Sequence, residues 1–289
     1  MSGAASQPIA FLGPEGTFTE EALLANLPAG EYHPFPYPSI RDVLTAVQAG
    51  DAPLGIVPIE NSIEGSVVVT LDSLAFGFDE LRIVREITWQ VHQQLIARRP
   101  VDFERVTKIV SIPHAYGQCR EFIREHLDGV EHEPTDSTAE AVRRVSRGER
   151  PWVAIGTRLA AEMYECEVIA PDIDDATDNR TRFVFVSRDE APQGEPAEGA
   201  GGIDAAFKTS IVCGISQDQP GSLLMILSEF AYRYVNLTKV ESRPSKQGLG
   251  DYIFFIDMVG RATDPPIAQA LSCLGCKLSW VKVLGSYPT

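Results

Sequence analysis

Short apolar runs alternate along the first two-thirds of the chain with longer segments in which apolar residues recur every three or four positions. Runs of this length predict strands that are buried on both faces of a sheet, and the longer segments predict helices. The alternation of the two is typical of an α/β domain with a largely buried sheet. The predicted strands lie at 9–12, 54–59, 108–112, 152–155 and 182–186.

Two helix starts carry the polar spacing of a capping box. Thr17 is followed by Glu20, and Ser137 is followed by Glu140, each pair opening a stretch rich in alanine and leucine or valine. In a capping box the first hydroxyl and the later carboxylate each accept a hydrogen bond from the other residue's backbone N–H. We therefore predict helices that begin at these two positions.

The last third of the chain follows a different order. Residues 189–206 are rich in glycine and proline and hold almost no large apolar residue, so they predict a linker between a domain at 8–188 and a domain at 207–286. The second domain has the predicted order βαββαβ, which fits a ferredoxin-like fold. Its predicted elements are a strand at 209–216, a helix at 222–232, strands at 235–243 and 252–259, a helix at 265–274 and a strand at 278–284.

Composition and charge narrow the choice of partners. The chain has 289 residues, 44% of them hydrophobic, which is enough for two or more domains with their own cores. Its 25 Lys and Arg against 40 Asp and Glu give a net charge of -15, which argues against nucleic acid. This net charge is still compatible with a small anionic substrate, because backbone N–H groups can bind such a substrate locally. No long apolar run and no signal-peptide pattern occurs, so we expect no membrane partner and a cytoplasmic location.

Familiar catalytic motifs are missing from the sequence. It has no zincin, nucleophile-elbow, P-loop or dinucleotide-binding motif, so metallohydrolases, serine hydrolases and nucleotide-binding proteins lose support. The five cysteines are too scattered for a disulfide framework, and Cys273 and Cys276 lack the further ligands that a structural zinc needs. We therefore predict no metal and no cofactor, and the role of the two cysteines stays open.

Polar side chains gather in two segments that directly follow predicted strands. Residues 13–18 open the first predicted helix, where free N–H groups favour an anion, although a plain turn would explain their glycines as well. Residues 58–66 crowd polar groups at the end of a strand, which makes them the better candidate for a site. The β-branched residues 67–70 come next, and their propensity alone predicts a strand.

Six segments carry a family resemblance when they are taken in order. They are FLGPEGTF at 11–18, GIVPIENSIEGS at 55–66, STAEA at 137–141, NRTRF at 179–183, PGSLL at 220–224 and NLTKVESRP at 236–244. Any one of them is a weak signal, whereas the ordered set is specific and spans nearly the whole chain apart from the N-terminal tail and the linker. In this order the chain resembles prephenate dehydratases that carry a C-terminal phenylalanine-binding ACT domain.

The resemblance implies a catalytic region of two α/β lobes, similar to type 2 periplasmic binding proteins, with the substrate in the cleft. In that family the segment at 60–65 runs into a helix, so we predict a helix rather than a strand at 67–70. The ACT domain would occupy 207–286. The expected lobes are lobe 1 at about 8–77 plus 175–188 and lobe 2 at about 78–174, with hinges near 76–81 and 171–176.

The implied activity is the loss of CO2 and hydroxide from prephenate, which yields phenylpyruvate in L-phenylalanine biosynthesis. The leaving hydroxyl needs a hydrogen-bond donor, and the resemblance assigns Thr181 to that role. In an extended strand Thr181 and Phe183 face one side and Arg182 faces the other. Arg182 would then anchor a substrate carboxylate or brace the loop, and Phe183 is a candidate for an apolar wall beside the reacting carboxylate.

Five further residues are candidates for substrate binding. Thr17, Asn61, Ser62 and Ser66 could form hydrogen bonds with the two carboxylates of prephenate. His114 is the fifth, but the family usually has Ser-His-Pro where this chain has Ser-Ile-Pro-His at 111–114, so its role stays open.

The C-terminal motifs imply a site for L-phenylalanine between paired ACT domains. Gly221, Ser222 and Leu223 of one chain and Asn236 and Leu237 of another would contact the effector. A homodimer or homotetramer follows, together with feedback inhibition by the end product.

Two other activities stay open at this point. Arogenate dehydratase would perform the same chemistry on the amino analogue of the substrate. A non-catalytic amino-acid sensor is a second alternative, although the retained residues 181–183 argue against it. A secreted solute-binding protein is disfavoured because no signal-peptide pattern occurs.

Overall fold

The computed structural model describes residues 6–28, 30–148, 150–190, 203–204, 206–215, 219–245 and 251–289. Most of the predicted linker at 189–206 and the predicted strand end at 216 lie outside the described residues. The strands are β1 (Gln7–Leu12), β2 (Tyr32–Tyr37), β3 (Leu54–Asn61), β4 (Gly65–Ser66), β5 (Arg82–Gln90), β6 (Gln94–Ala97), β7 (Lys108–Ser111), β8 (Glu131–Pro134), β9 (Trp152–Gly156), β10 (Glu167–Ala170), β11 (Arg180–Ser187), β12 (Phe207–Gly214), β13 (Leu237–Pro244), β14 (Tyr252–Val259) and β15 (Trp280–Pro288). The helices are α1 (Phe18–Asn26), α2 (Ile40–Ala49), α3 (Val68–Phe76), α4 (Pro113–Gly117), α5 (Arg120–His126), α6 (Thr138–Ser146), α7 (Arg158–Met163), α8 (Ser222–Ala231) and α9 (Pro265–Lys277), with a 3-10 turn at Phe103–Arg105.

The first sheet has the strand order β2-β1-β3-β11-β5, with the short β4 paired to β3. β1 is parallel to both β2 and β3, and its residues Ile9, Ala10 and Phe11 are fully buried, as expected of a strand covered on both faces. Because β5 belongs to this sheet, the chain enters the second sheet only after Gln90, later than the expected crossing near 76–81. The division of the catalytic region into two lobes stays a prediction.

The second sheet has the order β10-β6-β9-β7-β8. β7 is parallel to β8 and β9, and β6 is antiparallel to β9 and β10. Successive side chains alternate between two cores, as the period of two in a strand requires. One core contains Leu95, Ala97, Ile109, Val153 and Ile155, and the other contains Ile96, Val110 and Ala154.

All five strands predicted from apolar runs in the first two-thirds of the chain are confirmed, as β1, β3, β7, β9 and β11. The sequence did not reveal β2, β5, β8 or β10, which lie at sheet edges, and it also did not reveal the short strands β4 and β6. An edge strand buries too little apolar surface to leave a continuous apolar run. Apolar runs therefore identify most central strands and miss the edges. The exception is β6, a buried central strand of only four residues that begins with a glutamine.

The segment after β3 is helical, so the helix predicted at 67–70 from the family resemblance is confirmed as the start of α3. The Thr70 hydroxyl donates to the carbonyl of Pro58 at 2.6 Å, and the Thr70 side chain is fully buried. This contact fixes the first turn of the helix against the end of β3. Tertiary contact therefore overrides the strand propensity of the β-branched residues.

The two predicted capping boxes have different outcomes. Ser137 is the N-cap of α6, and its hydroxyl accepts from the Glu140 N–H at 3.0 Å, as predicted. Thr17 is also an N-cap, but its hydroxyl donates to the Leu12 carbonyl at 3.2 Å instead of capping the helix. Glu20 accepts from the Gly16 N–H, so the carboxylate serves the loop before the cap. The box at Thr17 is therefore wrong in detail, although the helix start is right.

The C-terminal region has the predicted element order βαββαβ, with α8 and α9 following β12 and β14. Its four strands form an antiparallel sheet in the order β13-β14-β12-β15. Apolar residues of both helices pack on this sheet, including Ile226, Phe230, Ile267, Ala270 and Leu274. Among the described residues no helix is both long enough and apolar enough to cross a membrane.

The chain forms two compact units, Met1–Thr70 with Ile87–Phe183 and Leu71–Glu86 with Val184–Thr289. The segment 71–86 lies in the second unit because Lys282 donates to the carbonyl of Leu74 at 2.8 Å and to the carboxylate of Asp79 at 2.7 Å. Isolated polar contacts of this kind leave no pattern in the sequence. The domain bounds expected from the sequence stay a prediction.

Candidate active site

The candidate residues lie where parallel strands end. β1 and β3 end at Leu12 and Asn61, and β7 and β9 end at Ser111 and Gly156. The carboxyl ends of parallel strands share an edge of a sheet, and ligands of α/β proteins bind at such edges. Each of these four strand ends is followed by one of the polar loops of the first unit.

Thr157 connects two of these loops. Its hydroxyl donates to the carbonyl of Gly16 at 2.6 Å and accepts from the N–H of Ala160 at 2.9 Å, where it caps α7. Gly16 has a φ of +83°, and a Cβ there would lie 3.1 Å from the Cβ of Ala160. Glycine is therefore required at this turn, and the loop after β1 is fixed against the helix after β9.

Asn61 is held in one orientation. Its Oδ1 accepts from the backbone N–H groups of Ile63 and Glu64 at 2.9 and 3.0 Å. Two backbone donors on one side-chain oxygen leave no ambiguity about which end of the amide is the nitrogen. The amide Nδ2 therefore points toward the beginning of β11.

The side-chain oxygen of Thr181 accepts a hydrogen bond from the Asn61 amide. Asn61 Nδ2 lies 2.9 Å from Thr181 Oγ1 and 2.8 Å from the side-chain oxygen of Asn179. Because the Thr181 oxygen accepts a hydrogen bond, its own proton is directed elsewhere and remains available as a donor. The arrangement holds a polarised hydroxyl at the start of a strand, which is what assistance to a leaving oxygen requires.

Ser62 holds β11 through backbone groups. Its N–H donates to the Arg180 carbonyl at 2.8 Å, and its hydroxyl accepts from the Arg180 N–H at 2.9 Å and donates to the Asp178 carbonyl at 3.1 Å. All of these partners are main-chain groups, of Asp178 in the loop before β11 and of Arg180, the first residue of β11. The Ser62 hydroxyl therefore positions the strand that carries Thr181.

Arg182 faces away from Thr181, as strand alternation predicts. Its guanidinium donates to the Glu60 carboxylate at 2.9 Å, and its side chain is 16% exposed. Phe183 is 2% exposed and packs in the interior. Of the two roles suggested for Arg182, bracing the loop is the one that its contact with Glu60 favours.

Ser66 lies in β4, and Thr17 directly precedes α1. Ser66 pairs with Glu60 across the β3–β4 hairpin, so its backbone supports the same loop. Thr17 bonds the end of β1 and makes no hydrogen bond to Thr181 or Asn61 among the described residues.

His114 joins the cluster through Gln118. The Gln118 amide donates to His114 Nε2 at 2.8 Å, one helical turn away, and Gln118 Oε1 accepts from Asn179 at 3.3 Å. His114 Nδ1 lies 3.4 Å from the Glu64 carboxylate. With Nε2 as an acceptor the ring proton lies on Nδ1, facing Glu64. A continuous chain of polar contacts therefore leads from His114 to Thr181.

Two members of this chain, Gln118 and Asn179, were not among the candidate residues. Asn179 is the first residue of the NRTRF motif at 179–183 and is almost fully buried. Gln118 also accepts a hydrogen bond from the Gln93 side chain at 3.4 Å. The position of Gln118 four residues after His114 was the one sequence signal, since such pairs share a helix face. Nothing in the sequence showed that Asn179 would lie beside it.

Burial raises the pKa of several carboxyl groups in the first unit, Asp174 and Glu20 among them. Burial raises the pKa of Asp174 to about 6, although one carboxylate oxygen accepts from the Gln93 N–H at 2.8 Å. Its other oxygen has no hydrogen-bond partner within the described ranges. Burial also raises the pKa of Glu20, against the lowering effect of its bond from Gly16. Both groups support loops beside the cluster, and neither contacts Thr181.

The candidate effector residues lie in the second unit. Gly221 has a φ of +93°, a conformation that favours glycine, and forms the N-cap of α8. A cavity of about 470 Å³ is lined by residues 219–224, which include Ser222 and Leu223. Asn236 is exposed directly before β13, which begins at Leu237. The first three candidates therefore share one cavity.

Comparison with known proteins identifies the family. The model of the family described as "Prephenate dehydratase" matches residues 9–191. The prephenate dehydratase of Mycolicibacterium vanbaalenii is 40% identical over 97% of this chain and 91% of its own length.

Solved structures show the same fold. The prephenate dehydratase of Arthrobacter aurescens, solved in complex with L-Phe, is 40% identical with a TM-score of 0.85, covering 98% of this chain and 90% of that one. GqqA, described as a novel type of quorum quenching acylase, is 29% identical with a TM-score of 0.83 and 98% of both chains covered. Because the family model matches more than half of the chain and a close relative is matched over most of its length, this chain belongs to the prephenate dehydratase family of hydro-lyases.

Proposed function

We propose that this chain converts prephenate to phenylpyruvate, with the hydroxyl of Thr181 as the donor to the departing oxygen. The observation that carries the proposal is the hydrogen bond from Asn61 to Thr181. It occupies the threonine oxygen and directs the threonine proton outward. A hydroxyl held in this way is pre-organised for donation before the substrate arrives.

The reaction makes a specific demand on this donor. Prephenate carries a carboxylate on a quaternary ring carbon and a hydroxyl across the ring. The C–C bond to the carboxylate breaks, its electron pair enters the ring, and the C–O bond breaks as the hydroxyl leaves with a negative charge. Aromatisation supplies the driving force. The enzyme must stabilise the leaving oxygen, and a hydrogen bond that strengthens as charge develops does this.

The charges around Thr181 suit the loss of CO2. The two arginines that flank Thr181 are both paired: Arg180 with Asp178 at 2.6 Å and Arg182 with Glu60 at 2.9 Å. A bare guanidinium would bind the reacting carboxylate tightly in the ground state and lose that interaction as CO2 forms. Pairing with acidic residues reduces this penalty.

The remaining candidate residues have one of two proposed roles, either to position the loops of the site or to contact the substrate directly. Asn61 and Ser62 position the loop and the strand through the bonds described above, and Ser66 supports the same hairpin. His114 and Thr17 are the candidates for direct contact with substrate carboxylates. His114 Nδ1 lies beside the Glu64 carboxylate and Nε2 beside the Gln118 amide, so the ring would act through hydrogen bonds.

A direct assay tests the activity and its main alternative. Purified protein is mixed with prephenate or with arogenate, and phenylpyruvate or phenylalanine formation is followed, with Thr181→Val and Thr181→Ser compared with the unmodified chain. We expect turnover of prephenate, loss of about 100-fold or more in kcat for Thr181→Val, and substantial retention for Thr181→Ser, which keeps the hydroxyl. Preferential turnover of arogenate would assign the chain to that substrate. Turnover of neither would leave the amino-acid sensor.

Regulation by L-phenylalanine is the second part of the proposal. The relative from Arthrobacter aurescens was solved in complex with L-Phe, and this chain has a ligand-sized cavity at 219–224. We assign residues 207–286 to an ACT domain and the cavity to L-phenylalanine, completed by Asn236 and Leu237 of a second copy. Exposed apolar residues of this region, Leu224 at 70% and Tyr234 at 91%, fit a homodimer or homotetramer.

Two measurements test this second part. Sedimentation of the chain gives its assembly state, and activity is measured with and without about millimolar L-phenylalanine, with binding followed by calorimetry. We expect inhibition, and loss of binding in Gly221→Val, because that position has a positive φ. Binding without any effect on activity would overturn the regulatory role. A cytoplasmic location stays a prediction of the sequence.

A further inference from the structure

A second cavity lies in the first unit, away from the candidate active site. It has a volume of about 720 Å³ and is lined by the end of β6, at Ala97, and by the start of β9, at Trp152. The candidate active site lies where β7 and β9 end, so the two occur at opposite ends of the strands of the second sheet. The volume is that of a small-molecule site. No function described above uses this cavity.

The lining of this cavity is strongly positive. Among the lining residues that the structure describes, four are arginines, Arg98, Arg99, Arg105 and Arg150, and one is acidic, Asp102. The chain as a whole has a net charge of -15, so this is a local reversal of sign. In the part of the chain that the structure describes, none of the four arginines forms an ion pair with a carboxylate. Three of the four, Arg99, Arg105 and Arg150, are exposed, so their surplus of positive charge would attract an anion that enters this space.

Two of the arginines are held in place. Arg98 donates to the carbonyl of Gly148 at 3.1 Å. The guanidinium carbon of Arg150 lies 5.3 Å from the ring centroid of Trp152, and the ammonium of Lys108 lies 4.8 Å from it. Such cation–π contacts are worth about 0.5–1 kcal/mol at exposed sites. Because two cations already engage the indole, the ring offers little surface for a stacked aromatic ligand.

We propose that this cavity binds a small, multiply charged phosphate compound. The planar fork of arginine matches two oxygens of a phosphate group, and several arginines around one space suit several charges on one ligand. The occupied indole argues against a nucleobase as the main recognition element. The ligand is therefore recognised by its phosphate groups.

Calorimetry with sodium tripolyphosphate tests the proposal on the full chain. We expect about one equivalent to bind, with affinity that falls as sodium chloride is raised from about 50 to about 500 mM, because screening weakens exposed charge pairs. Arg105→Gln and Arg150→Gln should each weaken binding by about tenfold or more, as the loss of a hydrogen bond to a charged group does. Arg41→Gln is the matched control, since Arg41 is exposed on α2 outside this cavity. Thr181→Val should bind as tightly as the unmodified chain, which separates this cavity from the candidate active site.

Several results would overturn the proposal. These are the absence of binding at low salt, equal weakening by Arg41→Gln and Arg105→Gln, and a loss of binding in Thr181→Val. Tighter binding of citrate than of tripolyphosphate would show that the cavity recognises carboxylates and would refute the phosphate assignment. Circular dichroism of each variant separates weakened binding from loss of fold.

Discussion

Replacing Asn61 by aspartate isolates the hydrogen bond on which the proposed mechanism depends. The new side chain has the same shape, so one of its oxygens keeps the bonds from the Ile63 and Glu64 N–H groups. The other oxygen takes the place of Nδ2, 2.9 Å from Thr181 Oγ1 and 2.8 Å from the Asn179 oxygen, and it is an acceptor. The Thr181 hydroxyl must then donate to the new carboxylate and is withdrawn from the substrate.

The expected loss follows from this reversal. Removing one donor to a developing negative charge costs about 100-fold to 1,000-fold in kcat, or about 2.7–4 kcal/mol. A new negative charge beside a dianionic substrate should also raise KM. Below the pKa of the new carboxyl group it can donate again, so the kcat of Asn61→Asp should recover partly as the pH falls.

Steady-state kinetics with prephenate between about pH 5 and pH 8 measure these effects. Asn26→Asp, the same exchange on α1, is the control for a new charge, and thermal unfolding of both variants reports any loss of structure. A kcat for Asn61→Asp within about threefold of the unmodified value at pH 8 would refute the idea that Asn61 orients the donor.

Three further predictions concern the groups around this cluster. Arg182→Lys should lower the midpoint of thermal unfolding, because the Arg182 guanidinium pairs with Glu60, and should change KM by less than about threefold. A tenfold rise in KM with an unchanged unfolding midpoint would instead show that Arg182 contacts the substrate. Burial raises the pKa of Asp174 from 3.8 to about 6, so its ionisation opposes folding increasingly as the pH rises between these two values and fully above them, and has no effect where it is protonated in both states. Asp174→Asn should therefore stabilise the protein by about 1–3 kcal/mol at pH 8 and by little at pH 4, measured by urea unfolding against Asp51→Asn; equal gains at both pH values would contradict this. Ser137→Ala should cost about 1 kcal/mol of unfolding free energy, and no change would show that the cap of α6 is unimportant.

The sequence predicted most central strands and the starts of α1, α6, α8 and α9 because these depend on local patterns. Residues Ile9 to Phe11 are buried on both faces, and this leaves a continuous apolar run that can be recognised without a structure. Helix α3, which begins at Val68, shows the limit of such patterns, since propensity alone favours a strand there. The bond from Thr70 to Pro58 decides the outcome, and it joins segments twelve residues apart.

The site was predicted in part for the same reason. The motifs identified Thr181 and Asn61, but not that one donates to the other across 120 positions of sequence. Gln118 was missed because its importance comes from Asn179 and Gln93, which reach it from two other segments. Long-range polar networks of this kind depend on tertiary packing and leave no periodicity to read.

The opposite orientations of Thr181 and Arg182 have a consequence for how their contributions combine. The two residues are neighbours in the chain, yet one contacts Asn61 and the other contacts Glu60. In a double-mutant cycle, Thr181→Val and Arg182→Lys should therefore be nearly additive in transition-state free energy. Thr181→Val combined with Asn61→Asp should be far less than additive, because both changes remove the same donor. Whether two substitutions at this strand act independently would then depend on which residues their side chains contact, and not on how far apart they are in the chain.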